Sequence, residues 1–185
     1  MKKGLILILS IVMVVCISIS ATLAYLFVET TPVENTFEYG DINITLDESE
    51  DLDLKMIPGN TITKDPAVTV LKDSEACWLF VKIDKSANFD DFMTYEIADG
   101  WTALPGETNV YYREVPATEA DTEFAVLKEN EVLVKATVLK TELNALTEGT
   151  MPTLTFTAYA VQKDNVTSVA DAWKLVGTKG VPANS

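Results

Sequence analysis

The chain reads as an all-β protein: a jelly-roll-like antiparallel β-sandwich with one or two short helices, preceded by an N-terminal signal helix. Three observations predict this. About eight short stretches rich in β-branched and aromatic residues recur along the chain, several with apolar side chains at every second position. Turn signals such as Pro58-Gly59-Asn60 and Leu104-Pro105-Gly106 separate them. A charge-free apolar run opens the chain and is unlike everything after it.

That opening comes first in order. Met1-Lys2-Lys3 is a short cationic start, and Gly4 to Val28 then carries no charge. Such a run is long enough to cross a bilayer as a helix. Lys2 and Lys3 hold the N-terminus inside, so the sequence predicts export of the chain beyond Val28. Thr22 and Ala24 are small residues at the −3 and −1 positions of a signal-peptidase site, which puts cleavage before Tyr25. The alternative is an uncleaved anchor, which the length of the run supports. A lipoprotein signal at Cys16 fits poorly, because bulky Val15 precedes it. The predicted organisation is a signal segment over 1–24, an extended segment over 25–35, and one β-sandwich domain over 36–185.

Within that domain, Thr36 to Leu46 alternates through Ile42, Ile44 and Leu46 and predicts a strand. Asp47 to Asp53 reads as an acidic turn and Leu54 to Ile57 as a short strand. Ile62 to Leu71 is extended, with Pro66 suited to an edge or a strand start. Cys77 to Asp84 is a central strand. Cys77, Leu79, Val81 and Ile83 point one way, and Trp78, Phe80 and Lys82 the other, so both faces need cover. Ala87 to Trp101 mixes apolar and acidic residues around Phe89, Phe92, Tyr95 and Ile97. Val110 to Val115 is a Tyr-rich strand ended by Pro116. Val132 to Leu139 alternates as a further strand, and Leu143 to Thr150 is a connection. Thr153 to Gln162 is the last strand, with Leu154, Phe156, Ala158 and Ala160 on one face. Ser168 to Leu175 predicts a short helix capped by Thr167 or Ser168, and a loose polar tail begins at Gly177.

Composition narrows the function. The chain has 28 acidic and 14 basic residues and a net charge of −14. Without Lys2 and Lys3 the balance is about −16. A surface this acidic repels phosphate backbones and anionic lipids, which argues against nucleic-acid binding and confines membrane contact to the signal segment. There is no histidine. Ser-His-Asp and Cys-His nucleophile arrangements and histidine zinc sites are therefore excluded. Beyond the signal, Cys77 stands alone in an apolar run and reads as a buried small hydrophobe. Asp47, Glu48, Glu50, Asp51 and Asp53 form a ligand-like cluster. They lack the order of a calcium loop, and a solvated turn is the simpler reading. Trp78, Trp101 and Trp173 read as core residues rather than a sugar-stacking platform. No catalytic residue, metal ligand or cofactor is predicted.

Four stretches, in order, resemble one family. Thr22 to Tyr25 at the signal end is followed by Pro32 to Leu46 (PVENTFEYGDINITL) and Met56 to Lys64 (MIPGNTITK). Leu154 to Gln162 (LTFTAYAVQ) and Ala170-Asp171-Ala172-Trp173 close the set. Together they resemble the TasA/camelysin family of Gram-positive bacteria, whose signals are cut by the peptidase SipW. Ala87 to Asn130 matches poorly. The resemblance implies a secreted protein that assembles with copies of itself, or with related subunits, into extracellular fibres of a biofilm matrix or cell surface. It also implies an assembly segment at Tyr25 to Asn35, led by Tyr25, Leu26, Phe27 and Val28, that adds a strand to a neighbour; the alternative is that these residues fold back on their own domain or stay in the membrane. The family also carries a metallo-endopeptidase label. Here that label lacks histidine, a His-Glu-x-x-His helix and a cysteine pair. The expectation is a non-enzymatic protein whose partners are its own copies and the signal peptidase; a monomeric surface binding module is a further alternative.

Overall fold

The computed structural model describes residues 41–49, 55–179 and 181–182, with side chains up to residue 176. The signal segment, its cleavage site, the assembly segment and Glu50 to Leu54 lie outside the described residues.

The strands are β1 (Ile44–Asp47), β2 (Thr61–Thr63), β3 (Ala67–Val70), β4 (Cys77–Lys85), β5 (Met93–Ile97), β6 (Thr102–Ala103), β7 (Val110–Val115), β8 (Thr122–Ala125), β9 (Leu127–Val134), β10 (Leu154–Gln162) and β11 (Val181–Pro182). The helices are α1 (Phe89–Phe92), α2 (Lys140–Ala145) and α3 (Val169–Lys179), with one 3-10 turn at Glu148–Thr150. Every strand pairing is antiparallel. The fold is the expected all-β sandwich.

One layer is a five-stranded sheet ordered β11-β10-β4-β7-β6. β4 lies at its centre, paired with β10 over nine residues and with β7 over six. Cys77, Leu79, Val81 and Ile83 are fully buried on one face, against Ile44, Val68 and Val70 of the opposite layer. Phe80 is fully buried on the other face, under α3, with its ring 5.3 Å from that of Trp173. Cover on both sides explains the unbroken apolar run from Cys77 to Val81, whereas Lys82 and Asp84 in the second half of the strand reach solvent and pair with each other.

The opposite layer consists of two three-stranded sheets, β1-β3-β8 and β2-β9-β5. The same two stretches of chain run through both. β2 and β3 pair with β9 and β8 in turn, and the ladder breaks only where Lys64–Pro66 faces Val126–Asn130. Val126 N–H donates to Pro66 O at 2.9 Å, and Lys64 N–H donates to Asn130 O at 2.8 Å. Glu129 and Asn130 adopt positive φ at 56° and 55°, which turns the ribbon from one sheet into the next. Proline suits this break, since its missing N–H interrupts no ladder.

The strand expected over Val132–Leu139 lies earlier, at Leu127–Val134. Its partners set the limit: Thr61 faces Leu133, Met93 faces Val134, and no pairing continues beyond. Lys135 to Val138 turns instead, with Val138 N–H donating to Lys135 O. Val138 is buried there, so the alternation has a cause other than a strand. Lys55–Ile57 forms no strand; Pro58 and Gly59 (φ +83°) make the expected turn. Strand β8, not foreseen, carries a single aromatic residue, Phe124. α3 starts where expected, its Asp171 N–H donating to Ser168 Oγ at 3.2 Å. It runs on to Lys179, and β11 pairs with Tyr159 and Ala160, so these parts of the tail expected to be loose are in regular structure. Among the described residues no helix is long and apolar enough to cross a membrane.

Candidate functional site

The sandwich opens at the start of β10. That strand pairs with β4 along its whole length, but on its other edge β11 covers only Tyr159 and Ala160. Among the described residues, Leu154 to Ala158 has no ladder partner on this second edge. An apolar groove of about 520 Å³ lies beside it.

Four side chains form the groove floor: Ile62 of β2, Val132 of β9, Met93 of β5 and Phe89 of α1. All four are buried in a second core cluster, onto which Leu154 and Phe156 of β10 pack. They converge because β9 pairs with β2 on one side and β5 on the other. Met56, Met151 and Leu154 form the rim.

The rim is held by specific bonds. Gly59 N–H donates to Val134 O, and Val134 N–H returns a bond to Asn60 O, both at 3.0 Å. These dock the turn after Met56 onto the end of β9. On the other side, Asn88 Nδ2 donates to Thr150 O and Thr153 N–H donates to Ser86 Oγ, both at 2.9 Å. The two bonds flank Met151 and Pro152 and fix them at the groove that Phe89 also lines.

The groove carries little charge. Its one cation, among the described residues, is Lys64, which pairs with Glu48 and stands 5.6 Å over the Phe156 ring. A second recess of about 230 Å³ continues along the same edge, between Leu46 and Asp47 of β1 and Leu154 to Phe156 of β10. An apolar trough beside an unpaired strand edge suits an extended segment. Such a segment can pair its backbone with the edge and bury alternate side chains.

The predicted acidic cluster is used locally. Thr45 Oγ1 donates to Asp47 at 2.8 Å, and Glu48 holds Lys64. Ser49 donates to Asp65 through both its N–H (3.0 Å) and its hydroxyl (2.6 Å). These two bonds hold the Asp65 carboxyl below its usual pKa. Glu50, Asp51 and Asp53 lie outside the described residues, as do Thr22, Ala24, Tyr25, Leu26, Phe27 and Val28. Among the described residues no three Asp, Glu or Cys side chains gather as a metal site. Cys77 is buried as expected, and desolvation pushes its thiol up to about 11. Trp101 is in the core with its Nε1–H donating to Ala125 O at 2.9 Å, and Trp173 packs edge-on to Tyr159.

Sequence reading did not find the groove. Its walls come from five separate stretches, around residues 56, 62, 89–93, 132 and 151–155. Comparison with known proteins returned no match among family models, curated proteins or solved structures.

Proposed function

We propose that the chain is a secreted structural protein that assembles into extracellular fibres of a bacterial biofilm matrix or cell surface, each subunit donating a strand to the next. The observation that carries this reading is the apolar groove beside the edge of β10 that has no ladder partner among the described residues. It is an acceptor of the chemistry that Tyr25-Leu26-Phe27-Val28 needs, because those residues are too apolar to remain in water. Each such side chain contributes about 1.5–3 kcal/mol if fully buried. Pairing along the edge adds direction and register. Pro32 ends the donor, since it offers no N–H. The strong negative charge keeps subunits soluble until they add to an end. The resemblance to the TasA/camelysin family points the same way.

A metallo-endopeptidase reading has less behind it. The chain has no histidine, and the carboxylates at the head of the acidic stretch are engaged in local bonds. A monomeric surface module is the remaining alternative.

Electron microscopy and light scattering on purified mature chain test the proposal. Fibres are expected from the intact mature protein. Deleting Tyr25 to Thr31 should leave a folded monomer that does not polymerise. Phe27→Lys should weaken assembly strongly, since it buries a charge without a partner. Equal polymer formation by the truncated chain would refute strand donation by this segment. A stable monomer under all conditions would favour the surface module, and chelator-sensitive casein hydrolysis the peptidase.

A further inference from the structure

The chain has five methionines. Two are Met1 and Met13. The other three, Met56, Met93 and Met151, are distant in sequence, yet all line the apolar groove. Their accessibility is graded: Met151 is 46% exposed at the rim, Met56 is half-buried, and Met93 is 7% exposed on the floor.

Methionine suits a surface that must accept varied apolar side chains, because its unbranched chain and polarisable sulfur adapt to irregular shapes. It is also the apolar side chain most open to oxygen transfer. A peroxide delivers one oxygen to the thioether: the sulfur lone pair forms an S–O bond, the O–O bond breaks, and water leaves. The sulfide is oxidised to a sulfoxide, the peroxide is reduced, and no further reactant is needed. The competing sulfur, Cys77, is fully buried on the inner face of β4, between β10 and β7, and is held as the thiol.

A sulfoxide at the rim changes what the groove accepts. Its oxygen is a strong acceptor on a surface whose other walls are Ile62, Phe89, Val132 and Leu154. The polar side chains nearby are Lys64, already engaged with Glu48, and Thr153 and Thr155, both at exposed positions. An incoming apolar side chain displaces the water around the oxygen and offers no donor in its place.

We infer that the groove is a redox-gated docking site, in which peroxides oxidise Met151 and then Met56 and so close it to the Tyr25–Val28 segment of a second copy. This rests on the reading of the groove as an acceptor of extended apolar chain. It adds a control that strand donation alone does not require, and one that is reversible, since methionine sulfoxide reductases restore the thioether.

The test uses the purified protein and two readouts: light scattering for assembly, and fluorescence of the apolar dye anilinonaphthalene sulfonate for the groove itself. Peptide mass mapping after graded hydrogen peroxide should show oxygen added at Met151 first, Met56 next and Met93 last. With Met151 and Met56 oxidised, dye affinity and assembly rate should each fall by about tenfold or more. Treatment with both reductase types should restore them. In Met56→Leu/Met151→Leu, whatever its untreated dye affinity and assembly rate, neither should fall after peroxide. Met151→Leu alone, a change at an exposed rim position, should be partly resistant and covers the case in which the double variant does not fold.

Verified oxidation at both rim positions with unchanged dye binding and assembly overturns the gate and leaves the fibre reading intact. Dye binding lost on oxidation and restored by reductase, in a protein that never assembles, supports the gate and removes the fibre reading. No dye binding by untreated, folded protein overturns the gate by removing the acceptor.

Discussion

The guanidinium carbon of Arg113 lies 3.9 Å from the centre of the Phe124 ring, so a cation from β7 of one layer stacks on an aromatic from β8 of the other. Trp101 approaches the same guanidinium at 5.3 Å. Arg113 is the chain's single arginine, and no carboxylate pairs with it among the described residues. Its Nε is buried without a hydrogen-bond partner, and burial lowers its pKa. The aromatic contacts are what offset that cost. Gly100 takes part as well: at φ +88° it accepts a conformation that other residues resist, and a Cβ there would come within 2.8 Å of an Arg113 Nη.

Arg113→Lys is therefore expected to destabilise the fold by about 1–2 kcal/mol, because a compact ammonium cannot stack as a flat guanidinium does. Gly100→Ala should cost about 1 kcal/mol or more through backbone strain and displacement of the same side chain. Urea midpoints measure both. If Arg113→Lys unfolds at the wild-type midpoint, the stacking contributes nothing.

Leu79→Ala should be far more costly, at about 2–5 kcal/mol. Leu79 is fully buried on the inner face of β4, between the two layers. Truncating exposed Leu139 at the start of α2 should change stability by less than about 0.5 kcal/mol. Equal losses from the two truncations would place the core elsewhere.

Alkaline pH should weaken the fold. Burial, aided by Tyr111 and Asp90, pushes the Tyr95 phenol from 10.0 up to about 12, and burial pushes the Cys77 thiol from 9.0 up to about 11. Both groups are raised in the folded state. Their contribution is thus complete below pH 9 and is lost as pH rises through 9 to 11 for Cys77 and through 10 to 12 for Tyr95. Urea midpoints at about pH 8 and about pH 10.5 should show the fall, and Tyr95→Phe should reduce it. A midpoint independent of pH in this window would contradict the burial of both groups.

Cys77 should resist alkylation by iodoacetamide in native protein at about pH 8 and react fully in denaturant, since no part of it is exposed. Rapid modification of the native protein would mean that β4 opens locally.

The proposed cleavage before Tyr25 is tested at the N-terminus. Protein recovered outside the cell should begin at Tyr25, from the small residues at Thr22 and Ala24. A membrane fraction that begins at Met1 would establish the anchor instead.

Strands β4, β7 and β10 were legible in the sequence almost to the residue. Their alternation, β-branched and aromatic content, short length and flanking turns are local properties, and together they separate these strands from buried helix. The start of α3 was legible for the same reason, since Ser168 caps it from within its own turn. Cys77 could be placed in the core because its whole neighbourhood is apolar. Other features were decided only by tertiary structure. β9 stops at Val134 because β2 and β5 stop there, although the apolar alternation runs on to Val138. β8 is a strand because β3 offers it an edge, not because its own residues demand one. Arg113 meets Phe124, and three distant methionines meet in one groove, through pairings between residues far apart in the chain. Local conformational preference acts over a few residues, whereas the choice of partner across such distances is made by burial and backbone pairing in the folded whole.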